Sequence, residues 1–236
     1  MIVRKLKINC PIRQEVVSAR ECVRCGLCLP PGILKRLFKD IRLEPNRYGV
    51  VELVGCLRRS YFARTIKTYP TLRDVYILAR GLAYHDFFST GFDMNEVPLF
   101  KKFEGEDFVV VGIVDGISKV DNEIVMYEIK SVNRIPRKPF EHHELQIRSY
   151  YSIAKETIEV DRLELIYLGM NDFRVFEVKK KDITDFLYKR AKELHVSLLR
   201  KEPPITIDER LCRFCVFRNL CKLGETLKNL ENEKSN

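Results

Sequence analysis

The sequence lacks the long apolar segments that mark membrane and secreted proteins. No stretch of its 236 residues approaches the roughly 20 consecutive apolar residues that a membrane-spanning helix requires. The first residues, MIVRKLKINCPIRQ, contain no apolar core of the kind found in a signal peptide. The sequence therefore excludes a helical membrane protein, and we expect a soluble cytoplasmic protein without membrane partners.

Tryptophan, internal repeats and low-complexity segments are also missing. Hydrophobic residues make up 45% of the chain, which is enough for a sizeable core. Disorder of the whole chain is therefore excluded, and the length fits one medium domain with or without a small appendage.

Acidic residues are scarce near the N-terminus. Residues 1–60 hold 13 Lys and Arg but only five Asp and Glu, so they carry +8 of the formal net charge of +9. Such an excess favours a polyanionic partner, because neutralised phosphates release their counterions. A solvated basic surface is the alternative interpretation.

The chain does contain eight cysteines. In the reducing cytoplasm, cysteines are more often metal ligands or buried thiols than disulfides. They form two groups. Cys10 precedes the closely spaced Cys22, Cys25 and Cys28, and Cys56 lies far upstream of Cys212, Cys215 and Cys221.

The periodicity of apolar residues predicts an α/β fold with a central mixed sheet flanked by helices. Two runs rich in β-branched residues surround a KVDN turn and predict an antiparallel hairpin. The predicted division has a Cys-rich appendage at 1–32, the main domain at 33–222 and a polar tail at 223–236. The other predicted elements are helices at 50–64, 71–90, 141–156 and 182–199, and strands at 97–103, 162–168 and 174–178.

The hairpin carries the most informative residues. Asp115 is predicted at the end of an apolar strand, and Glu128 and Lys130 share one face of the next strand. Pairing of the strands would place Asp115 beside Glu128. Two neighbouring carboxylates repel each other unless a cation, such as Mg²⁺ or Mn²⁺, neutralises them. Lys130 would stabilise the negative charge that develops during the reaction. An ordinary surface ion pair is the alternative for Glu128 and Lys130.

Three further residues accompany this hairpin. His85, on the predicted helix 71–90, offers a nitrogen ligand, although a lone histidine is more often structural. Gln146 and Tyr150 lie one helical turn apart, so both can face one cleft. A pair on a helix surface is the alternative for these two residues.

These residues occur in an order that resembles the RecB-type branch of the PD-(D/E)XK nuclease superfamily. The resemblance covers about residues 50 to 222 and implies a divalent-metal-dependent nuclease. The matching segments are Arg80-Gly81-x-x-x-His85, Gly112-x-x-Asp115, Glu128-x-Lys130 and Gln146-x-x-x-Tyr150. The resemblance implies metal binding by His85, Asp115, Glu128 and the carbonyl of Ile129, catalysis by Lys130, and support from Gln146 and Tyr150.

The cysteines flanking these motifs resemble those of the iron-sulfur branch, which includes the CRISPR-associated RecB-like exonucleases. The chain places Cys56 before the motifs and Cys212, Cys215 and Cys221 after them. The resemblance implies a 4Fe-4S cluster that joins the C-terminal segment to an N-terminal helix. Four thiolates can also bind zinc, and buried free thiols are the remaining alternative.

The N-terminal cysteines are unusual for that family. The segment ECVRCGLC resembles a bacterial ferredoxin loop, but the usual fourth Cys-Pro is replaced by Pro30-Pro31. Cys10 would supply the fourth ligand to Cys22, Cys25 and Cys28. A second 4Fe-4S cluster and a Zn²⁺ site both remain open, as does an exchange of Cys10 and Cys56 between the two groups.

The main hypothesis is a metal-dependent deoxyribonuclease, specifically an exonuclease that acts on single-stranded DNA ends or overhangs. The resemblance suggests CRISPR spacer acquisition, with integrase proteins as partners, or DNA repair. Arg58, Arg59, Arg134, Arg137 and Lys138 would guide the DNA backbone. Tyr61 and Phe62 are candidates for base stacking, although core packing is favoured for Phe62. The competing hypotheses are a non-catalytic DNA-binding or assembly subunit and a redox-active iron-sulfur protein.

Overall fold

A computed structural model describes residues 7–38, 44–205, 212 and 215–221. The predicted polar tail at 223–236 lies outside these residues. Within the described ranges, no helix is both long and apolar enough to cross a membrane.

A six-stranded mixed sheet forms the centre of the protein, as predicted. Its strands are β3 (Arg47–Gly49), β4 (Met94–Lys102), β5 (Val109–Val120), β6 (Glu123–Ser131), β7 (Arg162–Leu168) and β8 (Phe173–Val178). Across the sheet the order is β3, β5, β6, β7 and β8, and β4 pairs with β5. The β3–β5 and β6–β7 pairs are parallel, and the other pairs are antiparallel.

Helices flank this sheet, and a separate two-stranded hairpin precedes it. The hairpin joins β1 (Lys7–Asn9) to β2 (Val16–Ser18). The helices are α1 (Ala19–Cys25), α2 (Pro31–Leu37), α3 (Val50–Val54), α4 (Leu57–Thr65), α5 (Leu72–Phe88), α6 (Glu141–Ala154) and α7 (Thr184–Arg200). Short 3-10 helices cover Ser89–Gly91 and Arg218–Leu220.

The β5–β6 hairpin confirms the predicted pairing and shows why it turns so tightly. Only Asp121 and Asn122 separate the strands, and both have positive φ values, of 48° and 71°. Asp and Asn tolerate this left-handed region better than most residues, and a two-residue turn of this kind matches the twist of the strands. The turn thereby fixes the register that pairs Gly116 with Tyr127.

The predicted helix at 50–64 is wrong in one respect, because the structure divides it into α3 and α4. Gly55 has an extended conformation, with φ of −92° and ψ of −159°, and Cys56 then caps α4. Helical spacing continues on both sides of this break, so periodicity did not reveal it. The break directs the N-terminus of α4 toward the C-terminal segment, where Arg58 donates a hydrogen bond to the carbonyl of Pro204 at 2.7 Å.

Two hydrophobic cores are present in the described residues. The larger core lies between the sheet and α3, α4, α6 and α7. The smaller one belongs to the N-terminal region and includes Ile8, Val23, Leu34 and Phe38, together with Val75 of α5. The N-terminal region is thus packed against the beginning of α5.

Candidate active site

The site lies where β5 changes its neighbour. On one side β5 pairs with β3 at Val109–Val111 and then with β6 from Gly116 onward. Residues 112–115 lie between these two partners. Asp115 therefore occupies a fork in the sheet, inside β5 and not at the end of the strand as the sequence had suggested.

Asp115 links the two strands and α5. Its Oδ2 accepts a hydrogen bond from the backbone N–H of Ile129 at 2.6 Å, in the gap where β5 and β6 separate. Its Oδ1 lies 2.9 Å from Nδ1 of His85, and this contact raises the pKa of His85 because the carboxylate stabilises the protonated ring. The predicted residues His85, Asp115 and Ile129 are therefore in direct contact.

Glu128 is the most deeply buried carboxylate of the site, with 2% of the residue exposed. Its Oε1 accepts hydrogen bonds from Nζ of Lys130 at 2.5 Å and from Nε2 of Gln146 at 2.7 Å. Its Oε2 is buried without a hydrogen-bond partner among the described residues. An unsatisfied buried carboxylate oxygen is unfavourable unless a cation compensates it.

The electrostatics of Glu128 reflect this burial. Loss of solvation raises the pKa of the Glu128 carboxyl to about 7, against the opposing effect of Lys130. The charge of Asp115 raises it further. The Glu128 carboxyl is therefore costly to ionise unless a positive charge lies nearby, and a strongly shifted pKa of this kind is typical of functional sites.

Gln146 and Tyr150 complete one hydrogen-bonded network. Gln146 accepts from Nζ of Lys130 at 2.9 Å, and its Nε2 lies 2.8 Å from the Tyr150 hydroxyl. Both residues are buried, at 5% and 3% exposure, so the alternative of a helix-surface pair is wrong. α6 thereby contacts both Lys130 and Glu128 through Gln146.

Two glycines of β5 make this arrangement possible. A Cβ at Gly112 would lie 2.5 Å from Cε1 of Tyr150, and a Cβ at Gly116 would lie 1.9 Å from Cδ2 of Phe92. Each aromatic ring therefore rests directly on the strand backbone. Phe92 also stacks on Tyr127, with ring centroids 4.7 Å apart. The sequence pattern contained Gly112 but did not show that its role is to admit Tyr150.

The donor set suits a divalent cation. Carboxylate oxygens with one imidazole are common ligands of Mg²⁺ and Mn²⁺ centres, and the unpaired Oε2 of Glu128 supplies a free acceptor. In the described ranges, however, no group of three or more His, Cys, Asp or Glu side chains is close enough together to hold a metal ion. His85 and Asp115 instead contact each other.

Comparison with known proteins identifies the fold and the family. The profile of the PD-(D/E)XK nuclease superfamily matches residues 34–222. The chain belongs to this superfamily. Its members are typically nucleases that use divalent metals such as Mg²⁺ or Mn²⁺, so a nucleic acid is the expected class of substrate.

A solved structure has a similar fold. The crystal structure of SSO0001 matches with a TM-score of 0.60 and 19% sequence identity, covering 86% of this chain and 94% of that chain. At this level of identity the likeness concerns the fold. A search of curated proteins finds no match to the chain.

The C-terminal cysteines of this nuclease-superfamily chain lie against α4. Nη1 of Arg58 is 3.6 Å from Sγ of Cys221, and the ring of Phe62 is 5.8 Å from that of Phe217. Cys56 caps the same helix and is buried. The structure therefore brings the segment of Cys215 and Cys221 to the helix that begins after Cys56.

These packing contacts correct two minor expectations. Tyr61 is buried, with 6% exposure, so it cannot stack on DNA bases; Phe62, with 9% exposure, packs in the core as favoured. Arg58 is committed to Pro204 and Cys221 and is not free to guide a DNA backbone. Arg59, Arg134, Arg137 and Lys138 remain exposed.

The N-terminal cysteines are also brought together. Cys10, Cys22, Cys25 and Cys28 line one cavity. Burial raises the pKa of the Cys22 thiol, and the charges of the other three sulfurs raise it further, which reflects their proximity.

Proposed function

We propose that this chain is a metal-dependent deoxyribonuclease, an exonuclease that acts on single-stranded DNA ends or overhangs. The main support is the unpaired Oε2 of buried Glu128 in contact range of the Lys130 and Gln146 network. Such an acceptor, close to a fork that holds Asp115 and His85, suits a catalytic cation.

Each residue has a defined role in this proposal. Asp115, Glu128, His85 and the Ile129 carbonyl would hold the cation, which when bound polarises a phosphate oxygen and increases the acidity of water. Lys130 stabilises negative charge that develops on the phosphate or orients the attacking water. Gln146 keeps the Lys130 ammonium directed at Glu128, and Tyr150 holds Gln146 in place.

Exposed basic residues support a path for DNA. Arg134, Arg137 and Lys138 lie in the connection that leads from β6, with Lys130, to α6, with Gln146. Arg80 of α5 donates a hydrogen bond to Asn133 at 3.1 Å and so ties this connection to the helix that carries His85. A DNA strand bound along this connection would pass beside Asp115 and Glu128, and its affinity for the protein would fall as the salt concentration rises.

We also propose a 4Fe-4S cluster bound by Cys56, Cys212, Cys215 and Cys221. The proximity of Cys221 to Arg58 and the packing of Phe217 on Phe62 support a link between the C-terminal segment and α4. Its expected role is structural, because it would close a loop of well over one hundred residues. Four iron and four sulfide ions per chain, lost in Cys215→Ser, would support it.

The biological setting proposed is CRISPR spacer acquisition, with DNA repair as the alternative. It rests on the ordered motifs and flanking cysteines that resemble the CRISPR-associated RecB-like exonucleases. In that setting the nuclease would trim DNA before integration, and CRISPR integrase proteins would be its partners. Pull-down with a purified integrase from the same genome would test this assignment.

Cleavage of end-labelled DNA by iron-loaded protein tests the central proposal. We expect Mg²⁺- or Mn²⁺-dependent shortening of single-stranded DNA and of overhangs, with blunt duplexes cut more slowly. Asp115→Asn should abolish cleavage and leave folding and DNA binding intact. Asp121→Asn, at the exposed turn of the same hairpin, is the matched control and should cleave as the unmodified protein does.

Absence of cleavage in the unmodified protein with either metal would contradict the nuclease proposal. Retained binding of single-stranded DNA would then favour a non-catalytic binding or assembly subunit. A reversible redox couple without DNA binding would favour an electron carrier.

A further inference from the structure

The helix α5 leaves most of its apolar side chains outside the hydrophobic cores. Val75 is the one buried residue among its 17, whereas Ile77 and Phe88 are 48% and 43% exposed. Tyr84 and Phe88 lie one helical turn apart with their rings stacked, at a centroid distance of 6.1 Å and an interplanar angle of 17°. α5 therefore presents two nearly parallel aromatic rings on its surface.

This ring pair lies on a flank of α5 that faces the end of β6. Residues three, four or seven apart share one face of a helix, so Gly81, Tyr84 and Phe88 lie on the same flank. A Cβ at Gly81 would lie 3.4 Å from Oγ of Ser131, the last residue of β6. The flank that carries the rings therefore borders the start of the connection from β6 to α6.

That connection carries the positive charge of this region. Arg80, one turn before Tyr84, donates a hydrogen bond to Asn133 in the connection. The residues from Asn133 to Phe140 include no Asp or Glu. Exposed basic residues follow Asn133, namely Arg134, Arg137 and Lys138. Aromatic rings beside a basic segment suit a single-stranded nucleic acid, because the cations attract its phosphates and the rings stack on its bases.

The ring pair is also adjacent to the nuclease centre. His85 directly follows Tyr84 in α5, and its Nδ1 lies 2.9 Å from Oδ1 of Asp115. Phe88 comes three residues after His85, so it shares that side of the helix. A nucleotide next to a phosphate bound at the centre would therefore be close to both rings.

We infer, on the basis of the proposed function, that Tyr84 and Phe88 stack on bases of single-stranded DNA beside the phosphate that is cleaved. This contact gives a physical reason for a preference for single strands. In a duplex each base is already stacked on its neighbours and paired, so its face is not available to a protein ring. α5 thus supplies the stacking surface that the buried Tyr61 does not.

Binding of labelled oligothymidylate in the presence of EDTA tests this contact without metal or cleavage. Phe88→Leu keeps an apolar side chain but removes the ring. We expect its dissociation constant, measured by fluorescence anisotropy, to rise roughly 5- to 150-fold, the range for loss of one stack between a base and an aromatic ring. Phe88→Trp should restore tight binding. Phe100→Leu, at a position of β4 that is 70% exposed, is the matched control and should bind as the unmodified protein does.

An abasic oligonucleotide, which has the same phosphates but no bases, separates stacking from a structural effect. The unmodified protein and Phe88→Leu should bind this strand with equal affinity. The salt dependence of binding to oligothymidylate should also be the same for both proteins, because the phosphate contacts are unchanged. Equal weakening of Phe88→Leu on the normal and the abasic strands would overturn the inference, since the ring would then only support the shape of the site.

Three further outcomes separate the stacking contact from the nuclease activity. Ring-dependent binding by a chain that cleaves no DNA would support the contact and contradict the nuclease proposal. Cleavage together with unchanged affinity in both Phe88→Leu and Tyr84→Leu would overturn the contact and leave the nuclease proposal intact. Self-association that Phe88→Leu abolishes in sedimentation velocity, with DNA affinity unchanged, would overturn the contact in favour of an interface between two copies.

Discussion

Gln146 donates a hydrogen bond from Nε2 to Oε1 of Glu128 at 2.7 Å, joining α6 to β6 beneath the surface of the protein. The same Oε1 accepts from Lys130, and Gln146 also contacts Lys130 and Tyr150. One amide side chain therefore organises the acid, the lysine and the tyrosine. Its position explains why the Gln146–Tyr150 pair accompanies the Glu128–Lys130 pair.

Gln146→Met tests this organising role. Methionine has similar length but no amide, so Glu128 would keep only Lys130 as a partner for Oε1. We expect the free energy of unfolding of metal-free protein to fall by about 1–3 kcal/mol, the usual range for a buried polar group left unsatisfied. Urea denaturation measures it. In a double-mutant cycle with Glu128→Leu, which removes the acceptor, a coupling energy near zero would show that the two side chains do not support each other.

Glu128→Gln should stabilise the metal-free protein while abolishing cleavage. In the folded protein the pKa of Glu128 is raised from its ordinary value to about 7. The protonated carboxyl therefore contributes fully to the stability of the fold below about pH 4.5, and this contribution is lost as the pH rises through about 7. The neutral amide avoids this loss. At about pH 8 we expect a gain on the order of 1–3 kcal/mol in the free energy of unfolding.

The free energy of unfolding, measured with and without Mn²⁺, tests whether Glu128 binds the cation. Saturating Mn²⁺ should stabilise the unmodified protein and leave Glu128→Gln nearly unchanged, because a ligand stabilises only the form that binds it. Glu177→Gln, on the exposed part of β8, is the matched control and should resemble the unmodified protein in both conditions. Equal stabilisation of all three proteins by Mn²⁺ would place the cation elsewhere.

Local sequence patterns predicted much of this fold. α5 and α6, together with the hairpin of β5 and β6, were predicted from apolar spacing and from the polar turn at Asp121 and Asn122. These elements depend on neighbours within a few residues. Pairing across the short hairpin also predicted that Asp115 lies near Glu128, whereas the position of His85 was expected from the family resemblance.

Other features depend on contacts between distant segments and were not predicted. The fork at Asp115 arises because β3 and β6 share one side of β5, and no local pattern reports a strand's partners. The extended Gly55 interrupts a sequence that has helical spacing on both sides. The need for glycine at position 112 arises from Tyr150, which is 38 residues away in the sequence.

Gly112→Ala tests that last relationship. The added Cβ would lie 2.5 Å from a buried tyrosine ring, so either β5 or Tyr150 must move. We expect a loss of about 1–3 kcal/mol in the free energy of unfolding, as for overpacked cores, and reduced nuclease activity through displacement of Gln146. Thermal denaturation and the cleavage assay measure the two effects. Gly91→Ala has open space around the added carbon and should change neither; similar behaviour of both variants would refute the packing argument.

His143 provides a test of pH dependence outside the nuclease centre. Burial, with smaller effects of the Lys130 and His142 charges, lowers the pKa of His143 to about 2. The Tyr167 hydroxyl accepts from the backbone N–H of Phe140 at 3.1 Å and lies 2.8 Å from Nδ1 of His143. Because the hydroxyl's own hydrogen can then go to Nδ1, the structure favours a neutral ring. His143 is therefore protonated far more readily in the unfolded chain.

The sign of this effect follows from the lowered pKa. The stability contributed by neutral His143 is complete above about pH 6.5 and decreases as the pH falls below that value, by up to about 1.4 kcal/mol per pH unit. His143→Gln retains an acceptor for Tyr167 and does not titrate. As the pH is lowered from about 6.5 to about 4.5, the free energy of unfolding of His143→Gln should increase relative to that of the unmodified protein. Urea denaturation without metal measures this difference. The direct comparison removes the opposite contribution of Glu128, which titrates over the same range in both proteins.

Tyr167→Phe is the control, because it keeps the histidine buried. It should preserve the pH dependence of the unmodified protein at a lower overall stability. Parallel curves for the unmodified protein and His143→Gln would contradict the prediction, because the ring would then accept a proton without loss of stability.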